Sequence, residues 1–291
     1  TIDLSGQGAG GTARTVTVSN GTANHTLTLN ANGTGYQSDA AATEQQTVVG
    51  DAAAKTIVVN ASAKSSVALS TGAGNTTLTT VTATGAGALK LNLDSTNNTA
   101  VTSFDGSAAT GNLTLQNVAA STVTIKTGAG SDALTLTATT KAAVTTGAGV
   151  DTLTLGSAVA AGTTVDLGAG NDKLLVAGGT VAASTATAVT VIDGGEGTDT
   201  VAASLINAAN AAQFKNFESI DVSSATATAL DVELMTGSTV TGLTLNGGAG
   251  GATVNNVAAG VGLSISGSNT GTTVVGVKGA TAATATDDAC T

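Results

Sequence analysis

This sequence predicts an all-β fold, a parallel β-helix or β-roll-like solenoid with a short helical insertion near 203–214. Three observations carry that prediction. First, one phrase recurs four times between Lys126 and Val201. It reads Gly128-Ala-Gly130-Ser-Asp132-Ala-Leu134, Gly147-Ala-Gly149-Val-Asp151-Thr-Leu153, Gly168-Ala-Gly170-Asn-Asp172-Lys-Leu174 and Gly195-Glu-Gly197-Thr-Asp199-Thr-Val201. The Asp-to-Asp steps of this G-x-G-x-D pattern are 19, 21 and 27 residues, close to one solenoid turn per copy. Second, short runs of Val, Leu and Thr alternate with period 2, as in Thr26-Leu27-Thr28-Leu29 and Leu89-Lys90-Leu91-Asn92-Leu93. Such runs suit strands with apolar side chains inward and polar ones outward. Third, the chain holds three Phe, one Tyr, no Trp and no Pro, yet 41% of its residues are hydrophobic. A core of large aromatic residues is out of reach, whereas stacked rungs bury many small apolar side chains on one another.

Residues 1–125 read as a metal-poor solenoid of short strands between Gly, Asn and Ser turns. The expected strands are Thr15-Val18, Thr26-Asn30, Thr47-Val49, Thr56-Asn60, Ser66-Ser70, Thr76-Val81, Leu89-Leu93, Leu113-Val118 and Thr122-Ile125. Gly72-Ala73-Gly74-Asn75-Thr76 and Gly85-Ala86-Gly87 are echoes of the turn that lack the carboxylate. Residues 126–201 hold the four full turns. Segments such as Thr139-Thr145 and Ser157-Val165 supply the other side of each coil, so the aspartates line one edge only. Over 202–222 the pattern breaks. Ser204 is expected to cap a short helix with Leu205, Ala208 and Ala212 on one face, followed by a return strand through Phe214 and Phe217. Residues 223–279 resume strand-like pieces, with a further turn echo at Gly248-Ala249-Gly250-Gly251-Ala252, and 280–291 read as a tail or linker.

The residue types of the repeated turn point to calcium. Glycine permits the sharp backbone, and aspartate supplies a hard anionic oxygen of the kind Ca²⁺ prefers. Rungs of a parallel solenoid lie about 4.8 Å apart. Oxygens on opposite sides of one calcium ion lie about 4.6–5.2 Å apart. One ion therefore fits between equivalent turns of neighbouring rungs. Asp132 and Asp151 are expected to share one ion, and Asp151 and Asp172 a second. Asp172 and Asp199 share a third provided that the extra residues of the long step loop out. The glycines Gly128, Gly130, Gly147, Gly149, Gly168, Gly170, Gly195 and Gly197 shape these turns, and main-chain carbonyls complete the ligand shell. Without metal, two carboxylates about 5 Å apart repel by roughly 3 kcal/mol at an effective dielectric near 20.

Composition excludes several classes. The nine Lys+Arg against nineteen Asp+Glu, a net charge of -10, argue against nucleic acid as a partner. No apolar run is long enough to span a bilayer. The chain begins at Thr1 without an initiator Met and is expected to be part of a longer protein. Cys290 has no partner cysteine and receives no role. His25 is the only histidine and reads as a surface residue. No Ser/His/Asp grouping, zinc motif or phosphate loop is present, and Asp193 and Glu196 read as local charge on a turn. No enzymatic activity is expected. The Thr-x-Thr pairs, such as Thr15-Val-Thr17 and Thr26-Leu-Thr28, show no rung-spaced recurrence, which argues against an ice-binding face.

The fourth copy, Gly194-Gly195-Glu-Gly197-Thr-Asp199-Thr-Val201, resembles the RTX nonapeptide G-G-x-G-x-D-x-U-x. In the other three copies Thr127, Thr146 and Leu167 replace the first glycine, and the tandem nine-residue spacing is stretched to about twenty. Together with Asn216-Phe-Glu-Ser-Ile-Asp-Val-Ser223 and the acidic, Ala/Thr/Gly/Val-rich composition, the chain resembles RTX-type surface-layer proteins. That resemblance implies a calcium-binding protein of Gram-negative bacteria, exported by a type I system and folding on meeting external calcium. It further implies a structural role at the cell surface, in a lattice made with copies of itself. Any contact with cell-surface polysaccharide or lipopolysaccharide is expected through regions outside this chain. The alternative reading is an RTX adhesin or biofilm-matrix module that binds cell-surface ligands.

Overall fold

The computed structural model describes residues 1–5, 14–18, 22–35, 47–69, 77–93, 98–118, 122–137, 141–224, 229–248, 252–269 and 272–279. Over these residues the chain winds as a parallel β-solenoid whose strands alternate between two long sheets. The first sheet has ten strands and runs from Ile2–Ser5 through His25–Asn32, Ala54–Ala61 and so on to Phe214–Lys215. The second has twelve and runs from Arg14–Thr17 to Gly262–Asn269. Beyond Phe214–Lys215 the first sheet gives way to a three-stranded sheet of Leu230–Asp231, Thr253–Val257 and Val274–Val277.

The core consists of columns of like side chains, one from each rung. In the first sheet Leu27, Ile57, Val81, Phe104, Ile125, Val144, Val165, Ile192 and Phe214 stack in register. In the second, Val67, Leu91, Leu115, Leu134, Leu153, Leu174, Val201, Ile220 and Leu243 do the same. All of these are buried, and each aliphatic member contributes about 1.5–3 kcal/mol through removal from water. Phe214 sits at the end of its column against Phe217, ring centroids 6.3 Å apart and planes tilted by 59°. Phe214→Ala is expected to cost about 3–5 kcal/mol, because the packed rung of Ile192 and the Phe217 ring beside it cannot collapse into the void. A urea melt of this variant beside wild type measures the loss.

Most expected strands form within a residue or two of their predicted bounds. Within residues 1–125, Thr76-Val81 is displaced to Thr80–Gly85, and two of the described strands were not expected, Ile2–Ser5 and Ser103–Ala109. The second contains Asp105-Gly106, which reads as a turn in sequence. Here Gly106 lies inside the strand, where an added Cβ would lie 2.6 Å from the Leu113 side chain, and the pairing with the preceding strand shifts register between Thr82 and Thr84. Recurrence of Thr is also clearer in register than in sequence. Thr26, Thr56 and Thr80 stack, followed by Ser103 and Thr124. The adjacent column is interrupted by Val58, Asp105 and Lys126, so no uniform double row results.

The helical insertion near 203–214 takes the form of two single 3₁₀ turns, Ala203–Leu205 and Ala211–Gln213. Ser204 is not a cap. It lies inside the first turn, and the residue in the N-cap position is Ala202. Leu205 is buried, but Ala208 and Ala212 face solvent. The buried Asn210 organises the bend instead, its side-chain amide donating to the carbonyls of Val181 (2.8 Å) and Leu205 (3.0 Å). The turn echo at Gly72-Thr76, the centre of that at Gly248-Ala252, and the tail with Cys290 lie outside the described residues.

Candidate metal centre

The four aspartates come together as one column. Each stands at the corner that enters a second-sheet strand, one residue before Ala133–Leu136, Thr152–Leu155, Lys173–Val176 and Thr200–Ala202. Inward positions alternate through the turn, so Gly128, Gly130, Asp132 and Leu134 are buried while Ala129, Ser131 and Ala133 are exposed. The carboxylates of Asp132, Asp151, Asp172 and Asp199 are thus continuous with the leucine column, each at 1% exposure or less.

Each carboxylate is tied to the rung before it. Oδ1 of Asp132 accepts the Leu113 amide at 2.7 Å, Oδ1 of Asp151 the Asp132 amide at 2.8 Å, and Oδ1 of Asp172 the Asp151 amide at 2.7 Å. Asp199 accepts the Asp172 amide at 2.7 Å. The long step between these last two is absorbed away from the turns. The rung that passes through 156–163 in one coil passes through 177–190 in the next, with a tight turn between Thr185 and Ala188. Asp166 still pairs with Asp193, Ala169 with Glu196 and Lys173 with Thr200. The third pair therefore stacks like the first two.

Close approach of the rungs explains the glycines. A Cβ at Gly149 would lie 2.2 Å from the Gly130 carbonyl oxygen. Glycine carbonyls bridge the turns: Gly128 accepts from the Ala148 amide, Gly147 from Ala169 and Gly168 from Glu196, at 3.0, 2.8 and 2.7 Å. Each carbonyl oxygen retains a second lone pair. Where threonine replaces the first glycine its hydroxyl reinforces the stack. Thr127 Oγ1 donates to the Thr146 carbonyl at 2.7 Å, and Thr146 Oγ1 to the Leu167 carbonyl at 2.5 Å.

The second oxygens decide what the column can do. Oδ2 of Asp132 accepts the Gly128 amide at 3.3 Å. Oδ2 of Asp151, Asp172 and Asp199 are buried without a hydrogen-bond partner, a costly state for a carboxylate. Burial raises all four acids, Asp151, Asp172 and Asp199 to about 6 each. The amide donors oppose the shift, as do the nearby hydroxyls of Thr127 at Asp132 and Thr146 at Asp151, although each hydroxyl gives its one proton to a carbonyl of the next rung. Neighbouring carboxylates add to the shift, Glu218 and Asp193 in the case of Asp199. Three orphaned anionic oxygens in consecutive rungs are a donor set that fits a hard divalent cation. The fit is best between Asp151 and Asp172 and between Asp172 and Asp199, where both members have a spare oxygen. Among the described residues no three acidic, His or Cys side chains converge, so main-chain carbonyls would have to complete each shell.

The column also has ends that the repeated phrase did not disclose. At one end Glu218 takes the next place, its Oε2 accepting the Asp199 amide at 2.9 Å. The signal was its spacing, 19 residues from Asp199, the same as Asp132 to Asp151. At the other end the place of Asp132 is taken by Leu113 and then Leu89 and Ser65. The carboxylate is replaced by two leucines and a serine, and the turn at Gly85-Gly87 stacks through main-chain hydrogen bonds, with the Gly87 amide donating to the Ala61 carbonyl and the Thr110 amide to the Gly85 carbonyl. Outside the turns a second ladder forms: Asn112 Oδ1 accepts from the Ser131 amide, Ser131 Oγ from Val150 and Asn171 Oδ1 from Thr198.

His25 is more enclosed than a surface residue. It begins a first-sheet strand, at a different corner from the aspartate column. Its Nε2 lies 2.7 Å from Oδ2 of the buried Asp51, and its Nδ1 lies 2.8 Å from the Thr22 carbonyl. A carbonyl only accepts, so Nδ1 carries a proton. No helix among the described residues is long and apolar enough to cross a membrane. Comparison with known protein families, characterised proteins and solved structures gives no match.

Proposed function

We propose that this chain is a calcium-rigidified, structural part of a bacterial surface layer, secreted and assembling with copies of itself at the cell exterior. The observation that carries the metal half is the buried carboxylate column with unpartnered Oδ2 atoms on Asp151, Asp172 and Asp199. Calcium would be held between successive turns by these oxygens, by Asp132, and by carbonyls of the turn glycines. Bound there, it supplies the positive charge that offsets carboxylate repulsion and burial, and binding free energy becomes folding free energy. The assembly half rests on the likeness of the Gly194–Val201 turn and the acidic, small-residue composition to RTX-type surface-layer proteins. A long, stiff, repetitive rod suits a load-bearing tile, because each rung adds to the next without a separate core.

A calcium titration tests the metal half. Calorimetry is expected to show about 2.7 kcal/mol of stabilisation per site once calcium is one hundred times its dissociation constant. Magnesium is expected to do less, since it demands tighter octahedral geometry. Electron microscopy tests the assembly half: sheets should form with calcium and dissolve in chelator. Sheets that persist without divalent ions would count against the reading.

A further inference from the structure

We infer that a further calcium site lies beyond the last G-x-G-x-D turn, between the carboxylates of Asp199 and Glu218, with the Asn216 main-chain carbonyl as a third ligand. The inference rests on the calcium reading of the aspartate column and extends it to residues that the repeated phrase does not contain.

The turn that follows Asp199 in the stack is short and has no glycine. Asp193 pairs with Lys215 and Thr200 with Ser219, so residues 216–218 stand where residues 194–199 stand one rung earlier. Asn216 adopts φ +53°, in the turn position that Gly195 fills at φ +100°. Asparagine tolerates this left-handed backbone better than most residues. Neighbours on several sides hold it there. Its side-chain amide donates to Asp193 Oδ1 at 2.7 Å, and its main-chain amide to the Gly237 carbonyl at 3.0 Å. The Phe217 amide, in the same peptide as the Asn216 carbonyl, donates to Ser238 Oγ at 3.2 Å.

The candidate ligands meet at Gly194. A Cβ added there would lie 2.2 Å from the Asn216 carbonyl oxygen and 2.9 Å from Oδ2 of Asp199. The two oxygens are therefore no farther apart than ligands on opposite sides of one calcium ion, about 4.6–5.2 Å. Glycine keeps this corner clear of a side chain, and Oδ2 of Asp199 is buried with no hydrogen-bond partner. Glu218 supplies the second carboxylate. Its Oε2 accepts the Asp199 amide at 2.9 Å, as Oδ1 of each aspartate does for the rung before it. Its Oε1 is then the counterpart of the unpartnered Oδ2. Glutamate reaches one bond farther than aspartate, which suits a turn three residues shorter. After burial, the Glu218 charge is the largest influence that raises Asp199, a repulsion that a cation between them would reverse. Glu218 is half-buried, so water can complete the shell from outside. The series stops one rung later: Ser219 pairs with Gly242, and Thr241, without a carboxylate, takes the place of Glu218.

Equilibrium dialysis of the 291-residue chain against calcium tests the site, with Glu218→Gln beside wild type. Glutamine keeps an oxygen for the Asp199 amide and removes the charge. The variant is expected to hold one calcium ion fewer per chain, with an unchanged circular dichroism spectrum in calcium. Its melting temperature is expected to fall below that of wild type in calcium and to show no loss in chelator, where the Glu218 charge only repels Asp199. A purely structural side chain would lower both alike. A Glu218→Gln chain that binds as many ions as wild type, or whose melting temperature drops as far in chelator as in calcium, would overturn the terminal site and leave the calcium reading of the aspartates standing. A wild type that binds no calcium would overturn both.

Discussion

In the presence of chelator the protein is expected to be more stable at pH 5 than at pH 7, the reverse of ordinary acid destabilisation. The sign follows from burial. Asp151, Asp172 and Asp199 have ordinary values of 3.8 when unfolded and about 6 when folded. Between these values the folded chain holds more protons, so stability falls as pH rises through the window and the full cost is present above it. Two pKa units on one buried group correspond to about 3 kcal/mol. The three groups repel one another, so their costs are coupled and the total is not three times that figure. Calcium inverts the dependence, because protons then compete with the metal for the same oxygens. Scanning calorimetry in chelator and in calcium, from pH 4.5 to 7.5, reads both slopes. The variant Asp172→Asn keeps an oxygen for the Asp151 amide and removes the central charge. It is expected to flatten the slope in chelator and to lose most of the calcium stabilisation. A metal-free wild type that weakens steadily from pH 7 to pH 5 would contradict the buried-carboxylate account.

The solenoid and the order of its turns were legible because both rest on spacing. The phrase from Gly128 to Val201 repeats at rung length, and period-2 runs such as Leu113-Val118 set the strand faces directly. The place where the long step loops out was not legible, because any segment between Val176 and Val191 satisfied the count. The helix failed for a different reason. Leu205, Ala208 and Ala212 have helical spacing, but a rung corner leaves room only for single turns, and Asn210 captures the carbonyls of Val181 and Leu205. Glu218 and the His25–Asp51 pair depend on register between residues 19 and 26 apart, which no local pattern displays. The role of Leu113 and Leu89 as apolar substitutes for aspartate became visible only when the rungs were aligned.

Gly170→Ala is expected to be among the most damaging single substitutions in the chain. At φ +154° the residue occupies backbone that L side chains rarely adopt, a strain of about 1–3 kcal/mol. The added Cβ would also stand 1.5 Å from the Gly149 carbonyl oxygen and 2.7 Å from its carbon. Both obstacles are main chain, and each is fixed by the neighbouring turn, so relief requires the rungs to part. Overpacking of this kind costs about 1–3 kcal/mol more, and separation of the turns would also pull Asp172 from the oxygens above and below it. Calcium affinity and stability should therefore fall together. Gly33→Ala separates the two causes: it has φ +68° but nothing within 4 Å of the new Cβ, and strain alone predicts a loss of about 1–2 kcal/mol. Urea midpoints and calcium isotherms for both variants decide between them. Equal losses would show that backbone conformation alone requires the turn glycines. A larger loss at Gly170, accompanied by weakened calcium binding, would show that close stacking of the turns holds the carboxylates in line.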